Sequence, residues 1–186
     1  KKNMIKELLR KIEIGTVIKR DTLENPAKSI YLGLGSNLGN KKNNIEKAKF
    51  HLIKNGIEII KSSSFYESLS WPDPKKPKFL NIVLEIYTNL DPSYLLRLCK
   101  DIESILGRKK SPKNSPRKCD IDILDFNKKK SKGEVILPHP EMHRRNFVLL
   151  PLFEINKAWT HPIYKHDIKS LILALPNSDI RSIKLI

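Results

Sequence analysis

Residues 29–40 read Ser29-Ile30-Tyr31-Leu32-Gly33-Leu34-Gly35-Ser36-Asn37-Leu38-Gly39-Asn40. The first half is a short β-prone run of Ile, Tyr and Leu. The second half is a glycine-punctuated turn, and the segment after it carries Ile45, Ala48, Phe50, Leu52 and Ile53 at helical spacing. Strand, glycine turn and helix form the opening unit. Gly33, Gly35 and Gly39 spell G-x-G-x-x-x-G, which fits neither the dinucleotide fingerprint nor the Walker A loop, so all three are assigned to a tight strand-to-helix turn.

Outward from this unit the pattern continues regularly. Gly56 ends the helix, Ile57 to Tyr66 reads as a second strand, and Phe79 to Thr88 reads as a third. Between them, Pro72, Pro74 and Pro77 exclude helix interior and central strand, so this stretch is a surface loop. Asp91-Pro92 opens a second helix with Leu95, Leu98, Ile102, Ile105 and Leu106 on its apolar face, and Gly107 stops it. Cys119 to Phe126 is a fourth strand. Short helices near Asn146 to Glu154 and Ile168 to Leu175 follow the segment Pro138-His139-Pro140-Glu141. The order β-α-β-β-α-β predicts an α+β fold of the ferredoxin-like kind, an antiparallel sheet with helices packed on it plus C-terminal helices. Residues 30–186 are read as one catalytic domain. Residues 1–29, with Met4, Ile5, Leu8, Leu9 and Ile12 at helical spacing, are read as an N-terminal extension with a short helix.

Composition narrows the functional class. Of 186 residues, 39% are hydrophobic and 30% charged, and the mean hydropathy is −0.41, which suits a soluble packed domain. No stretch approaches the roughly 20 apolar residues that span a bilayer. The apolar residues after Lys1 and Lys2 are interrupted by Lys and Glu, unlike a signal peptide, so a cytoplasmic location is expected. Cys99 and Cys119 lie far apart without metal-ligand spacing and are expected to be reduced structural thiols. Lys and Arg exceed Asp and Glu by 36 to 20, a formal charge of +16, so an anionic partner or simple solubility must explain the excess.

The chemistry concentrates at Asp120-Ile121-Asp122. Strand side chains alternate, so both carboxylates leave the same face about 7 Å apart, with Cys119, Ile121 and Ile123 on the other. Two such acids suit magnesium, which takes few protein oxygens and leaves positions for water and phosphate. Immediately before them, the loop from Arg108 to Lys118 holds Arg108, Lys109, Lys110, Lys113, Arg117 and Lys118. Cations for phosphate oxygens beside acids for a metal are what phosphoryl transfer requires. Glu103, one turn before Gly107, is placed to orient these cations or to form a salt bridge. Phe79 and Asn81 share a strand face, an aromatic platform beside an amide able to pair with a heterocycle. His139 and His143 do not form a zinc motif, because Pro138 and Pro140 break the helix that motif needs; His139 with Arg144 and Arg145 fits a phosphate pocket better.

Taken in order, Gly33-Leu34-Gly35-Ser36-Asn37-Leu38-Gly39, Ser64-Phe65-Tyr66, Phe79-Leu80-Asn81, Pro116-Arg117, Asp120-Ile121-Asp122-Ile123-Leu124, Pro138-His139-Pro140 and Pro151-Leu152-Phe153-Glu154 resemble the hydroxymethyldihydropterin pyrophosphokinases from about Ile30 to beyond Glu154. The resemblance implies transfer of the β,γ-diphosphate of ATP to the hydroxymethyl group of a dihydropterin, releasing AMP, in folate synthesis. It implies two Mg2+ on Asp120 and Asp122, with Arg108 and Arg117 catalytic beside them. Glu103, Arg108, Lys110, Arg117, His139 and Arg145 would line the ATP site, with Ile123 near the adenine. Asn81 would pair with the pterin edge, Phe79 and Phe147 would stack on its faces, and Ser68, Leu69 and Trp71 would lie in the loop that folds over it. Lys110, Asn114 and the pair Ser68-Leu69 depart from the arginine, tryptophan and Thr-Pro common at those places. No general base is expected, because in-line transfer depends on position and charge neutralisation. The expected partners are ATP and the dihydropterin, without nucleic acid or membrane, and the expected state is a monomer.

Two other classes remain open from the residues alone. An RNA-binding module would suit the charge, although the stacking-aromatic run of such sheets is absent. A metal-dependent nuclease or nucleotide-sugar transferase would use the same paired acids.

Overall fold

The computed structural model describes residues 29–108, 112 and 114–186; the expected N-terminal helix and Lys110 lie outside the described residues. In chain order the elements are β1 (Ile30–Ser36), α1 (Lys41–Lys54), β2 (Glu58–Ser62), β3 (Tyr66–Ser68), β4 (Phe79–Tyr87), α2 (Pro92–Ile105), β5 (Asp120–Phe126), β6 (Ser131–Lys132) and β7 (Ile136–Leu137). After a 3-10 turn at Met142–Arg144 come α3 (Asn146–Ile155), α4 (Ile168–Ala174), α5 (Asn177–Ser182) and β8 (Lys184–Leu185). The main sheet has the order β5-β1-β4-β3-β8, with β2 also on β4, and every pairing in it is antiparallel. The result is a mixed α/β fold, an antiparallel sheet with helices, as the sequence pattern requires at this coarser level.

Alternation divides the sheet chemically. Ile30, Leu32 and Leu34 of β1, with Ile82, Leu84 and Ile86 of β4 and Ile121 and Ile123 of β5, pack on Ile45, Ala48 and Leu52 of α1 and Leu95, Cys99 and Ile102 of α2. On the opposite face Tyr31, Tyr66, Val83 and Leu124 meet α3, α4 and α5 through Leu149, Phe153, Ile172 and Ile180. These helices cover only part of that face. Gly33 pairs with Val83 and Asp122, and Gly35 with Asn81 and Asp120, so the uncovered part carries glycine, amide and carboxylate.

Local chemistry explains the element ends. The Asn43 N–H donates to the Asn40 side chain at 3.0 Å to start α1, and those of Ser93 and Tyr94 donate to Asp91 at 2.9 and 3.0 Å to start α2. Gly56 and Gly107 take φ of +80° and +90° just past the helix ends, where a side chain would be strained.

Three expectations need correction, and two elements are new. Gly33 and Gly35 lie inside β1, and only Gly39, at φ +67°, serves the turn. The expected second strand is broken at residues 63–65, because the buried Glu154 carboxylate accepts the Ser64 N–H at 3.0 Å, its hydroxyl at 2.8 Å and the Tyr66 hydroxyl at 2.8 Å. A buried carboxylate needs such donors, and it takes Ser64 out of the ladder. Phe50 and Ile53, at helical spacing in α1, and Ile105, expected on the apolar face of α2, are exposed, since each helix buries only one stripe of side chains. Finally, α5 and β8 have no counterpart in the sequence pattern; β8 extends β3 through Tyr66 and Leu185.

Cys99 and Cys119 are free and buried, and burial pushes both thiols up to about 12, as inert structural thiols require. Among the described residues no helix is long and apolar enough to cross a membrane.

His161 gives a stability prediction. It is 1% exposed, its Nδ1 accepts the N–H groups of Ile163 and Tyr164 at 3.2 Å, and its ring stacks on Tyr164. Burial, reinforced by His143, pulls its pKa down from 6.5 to about 4. The folded state therefore binds this proton less readily than the unfolded chain, and the associated stability is present above pH 6.5 and lost as pH falls towards 4. That gap is worth on the order of 3 kcal/mol. His161→Asn keeps an acceptor without titrating, so the wild-type-minus-variant difference in urea unfolding free energy should shift by this amount between pH 7.5 and 4. An unchanged difference would exclude the histidine.

Candidate active site

The uncovered part of the sheet is the floor of a cavity of about 410 Å³. Gly35 shapes it by absence: a Cβ there would lie 3.0 Å from Asn81 Oδ1 and 3.3 Å from the Phe79 ring. The Asn81 Nδ2 donates to Ser68 Oγ at 3.0 Å, and Ser68 Oγ in turn donates to the Leu69 carbonyl at 3.2 Å. With its hydroxyl proton committed, Ser68 can only accept from the amide, which turns Asn81 Oδ1 towards the cavity side. A half-buried aromatic and an oriented carbonyl acceptor thus sit at one end.

The acids sit beside them, held unequally. Asp120 receives Arg108 Nη1 at 2.7 Å and also Arg117 Nη2. Burial pushes its carboxyl up, but the charge and hydrogen bond of Arg117 and the charge of Arg108 outweigh this, holding it below the usual range. Asp122 lies in looser surroundings, 3.8 Å from Arg145 and 3.9 Å from His139. Burial, then repulsion from Asp120, raises it. His139 Nδ1 accepts the Glu141 N–H at 3.1 Å, so the neutral ring carries its hydrogen on Nε2, facing Asp122 and Arg145. Burial lowers its pKa, and Arg145 adds to that effect.

Beneath this layer Glu103, 1% exposed, fastens the cations to the sheet edge. It accepts Lys100 at 2.9 Å and the Ile121 N–H at 2.7 Å, and it holds Arg108. Two cavity-lining arginines lie on aromatic rings: Arg117 is 5.1 Å from the centroid of Phe79, and Arg145 is 5.0 Å from Trp71 and 5.7 Å from Phe147.

Paired carboxylates, a cluster of cations and an aromatic ring beside one oriented amide thus share one cavity, a combination suited to joining a polyphosphate to a flat heterocycle. Comparison of the chain with known families gives a match over residues 31–157 to 7,8-dihydro-6-hydroxymethylpterin-pyrophosphokinase. The chain belongs to this family. Its reaction transfers the diphosphate of ATP to the hydroxymethyl group of a dihydropterin in folate biosynthesis, and the chain is an ATP-dependent pyrophosphokinase. The 2-amino-4-hydroxy-6-hydroxymethyldihydropteridine pyrophosphokinase of Aquifex aeolicus is 39% identical over 142 residues, 76% of this chain and 88% of that protein. The enzyme of the same name from Bacillus subtilis is 40% identical over 127 residues, 67% and 76% of the two chains. The folic acid synthesis protein of Pneumocystis carinii is 35% identical over 164 residues, and there the chain spans 22% of a longer protein. Among solved structures, Plasmodium falciparum HPPK-DHPS with pteroate superposes with a TM-score of 0.60 at 17% identity, covering 80% of this chain and 44% of that one, a likeness of fold.

Of the pyrophosphokinase residues anticipated from the sequence, Ser68, Leu69, Trp71, Phe79, Asn81, Arg108, Arg117, Asp120, Asp122, His139, Arg145 and Phe147 all line the one cavity. Two stand elsewhere. Glu103 lies under the cations, and the Ile123 side chain packs in the core on the helix-covered face. Lys100 lines the cavity and was not anticipated; its spacing of three residues before Glu103 was the available signal.

Proposed function

We propose that Asp120 and Asp122 would hold two magnesium ions for the ATP phosphates, and that the hydroxymethyl group of the dihydropterin is presented to the phosphate chain from the Phe79–Asn81 end. The observation that carries this reading is the placement of both carboxylates and the aromatic–amide pair on one uncovered sheet face. The donor set suits a hard cation: it is oxygen only, and Asp122 has room beside it, since its neighbours at 3.8 and 3.9 Å are too distant for hydrogen bonds. When bound, magnesium supplies neutralisation of charge on the transferring phosphoryl oxygens.

The side chains have the remaining roles. Arg108 and Arg117, now on Asp120, turn to the phosphate oxygens, with Lys110, His139 and Arg145 completing the ATP site and Glu103 holding Arg108 in register. Ile123 would contribute near the adenine through its backbone, since its side chain packs in the core. Phe79 and Phe147 flank the pterin ring, Asn81 accepts from its edge, and Ser68, Leu69 and Trp71 close over it. The hydroxymethyl oxygen attacks the β-phosphorus in line, the bridging oxygen to the α-phosphorus leaves with AMP, and the hydroxyl proton passes to solvent. Position and neutralisation supply the rate without a dedicated base.

The same reading takes residues 30–186 as one catalytic domain working as a monomer, preceded by an extension at 1–29. The strand order supports a ferredoxin-like arrangement in which the second strand is split into β2 and β3. The direct assay is product analysis with MgATP: AMP is expected only when 6-hydroxymethyl-7,8-dihydropterin is present. ADP, or AMP formed equally without the pterin, would refute the transfer.

A further inference from the structure

We infer that Asn37 is a positioning residue that couples the two loops flanking the cavity, the proline-rich loop 69–78 and the cation-bearing loop that ends at Arg117; the inference rests on the cavity being the active site. Asn37 lies in the turn between β1 and α1 and is 3% exposed. Its backbone N–H donates to the Arg117 carbonyl at 3.1 Å, and its Oδ1 accepts the Arg117 N–H at 2.7 Å. These two bonds imitate one rung of a β-ladder and fix the backbone of the residue whose guanidinium reaches Asp120 and covers Phe79. The remaining group, Nδ2, donates to the Pro77 carbonyl at 3.1 Å. One side chain therefore ties segments 40 residues apart in sequence.

The anchor itself is braced. Asn44 Nδ2 donates to Ser36 Oγ at 3.2 Å and to the Leu38 carbonyl at 2.8 Å, holding the turn against α1. Nearer the rim a second link joins the same loops, Lys76 Nζ to the Asn114 carbonyl at 2.9 Å. That link hangs on a long lysine side chain, whereas Asn37 is buried and its side chain is short. A primary amide meets both demands at this position, because its oxygen accepts from Arg117 while its nitrogen donates to Pro77. The proline loop carries Trp71 and the other loop carries Arg117, so Asn37 sets the cover on the pterin end and the cation at the phosphate end relative to each other.

Chemistry separates the two halves of this role. Asn37→Asp retains an acceptor for the Arg117 N–H but cannot donate to Pro77, and it sets a carboxylate against that carbonyl. Asn37→Ala removes both. Hydrogen exchange of residues 69–78 and 114–118, measured without ligand, should accelerate in the first segment alone for Asn37→Asp and in both for Asn37→Ala. In steady-state assays Asn37→Asp should raise KM for the pterin about ten-fold, the scale of one lost buried hydrogen bond, with KM for ATP within about two-fold. Asn37→Ala should also lower kcat, by about 100-fold if the reacting groups are displaced on the order of 1 Å.

Wild-type behaviour in both loops for either variant, or faster exchange spread through β1, β4 and β5, would overturn the coupling role. The underlying reading has its own control: the Mg2+ complex of α,β-methylene-ATP with hydroxymethyldihydropterin should slow exchange in both loops of the wild type. Absence of that protection would remove the cavity as the active site and thereby the catalytic meaning of the coupling.

Discussion

Replacing Asp122 by Ala is expected to lower kcat by about 1,000-fold or more, because on the proposed reading this carboxylate would hold magnesium, whose charge offsets that of the transferring diphosphate. Asp120→Ala is expected to fall as far, yet the two variants should differ in stability. Burial and the neighbouring Asp120 both work against the charged form of Asp122, so its removal relieves an unfavourable site and the thermal midpoint should hold or rise. Asp120 is the partner of Arg108 and Arg117, and its removal leaves two guanidinium groups without that carboxylate, so the midpoint should fall. Single-turnover quench kinetics and calorimetric melting separate the cases. Normal turnover in both variants would remove the paired acids from the reaction.

Arg117→Ala carries the second large effect. Its guanidinium joins Asp120, reaches the Ser115 carbonyl at 3.2 Å and lies over Phe79, so it stands between the paired acids and the aromatic ring. On the proposed reading, loss of this cation from the phosphate site should cost about 100- to 1,000-fold in kcat/KM. Arg117→Lys should recover part of that loss, since it keeps the charge without the planar fork. Activity within about three-fold of wild type for Arg117→Ala would mean that the phosphates bind elsewhere.

The acid pair on the edge strand β5 was legible because it follows the simplest rule available. Period-two alternation places Asp120 and Asp122 together and Ile121 and Ile123 opposite, and the packing agrees. The rule stops at Leu124, where the register with β1 slips between Tyr31 and Leu32. Beyond this bulge Asp125 faces Trp159 and accepts its indole N–H at 2.9 Å, on the same side of the sheet as Leu124. A single extra residue carries no sequence signal when its neighbours are all strand formers.

Gly33 and Gly35 show a different limit. A glycine in a strand and a glycine in a turn look alike in sequence, and only the approach of Asn81 and Phe79 from β4 shows that the missing side chain makes room for a cavity. Glu103 was legible as a neighbour of the cations but not as a buried anchor, because its contacts to Ile121 and Arg108 come from a strand and a loop that helix periodicity does not see. Asn37 was invisible as a connector for the same reason: both of its partners are main-chain groups, and main-chain groups have no identity in a sequence.

The most direct test of the account is the number of divalent ions the paired acids hold. With Mn2+ replacing Mg2+, α,β-methylene-ATP and hydroxymethyldihydropterin should assemble a complex with two Mn2+ per chain, read from the spin–spin coupling in its electron paramagnetic resonance spectrum. Asp120→Asn and Asp122→Asn, which preserve shape, should each abolish the coupled signal. A coupled pair that survives unchanged in both variants would show that the metals, and with them the diphosphate, are held by other residues.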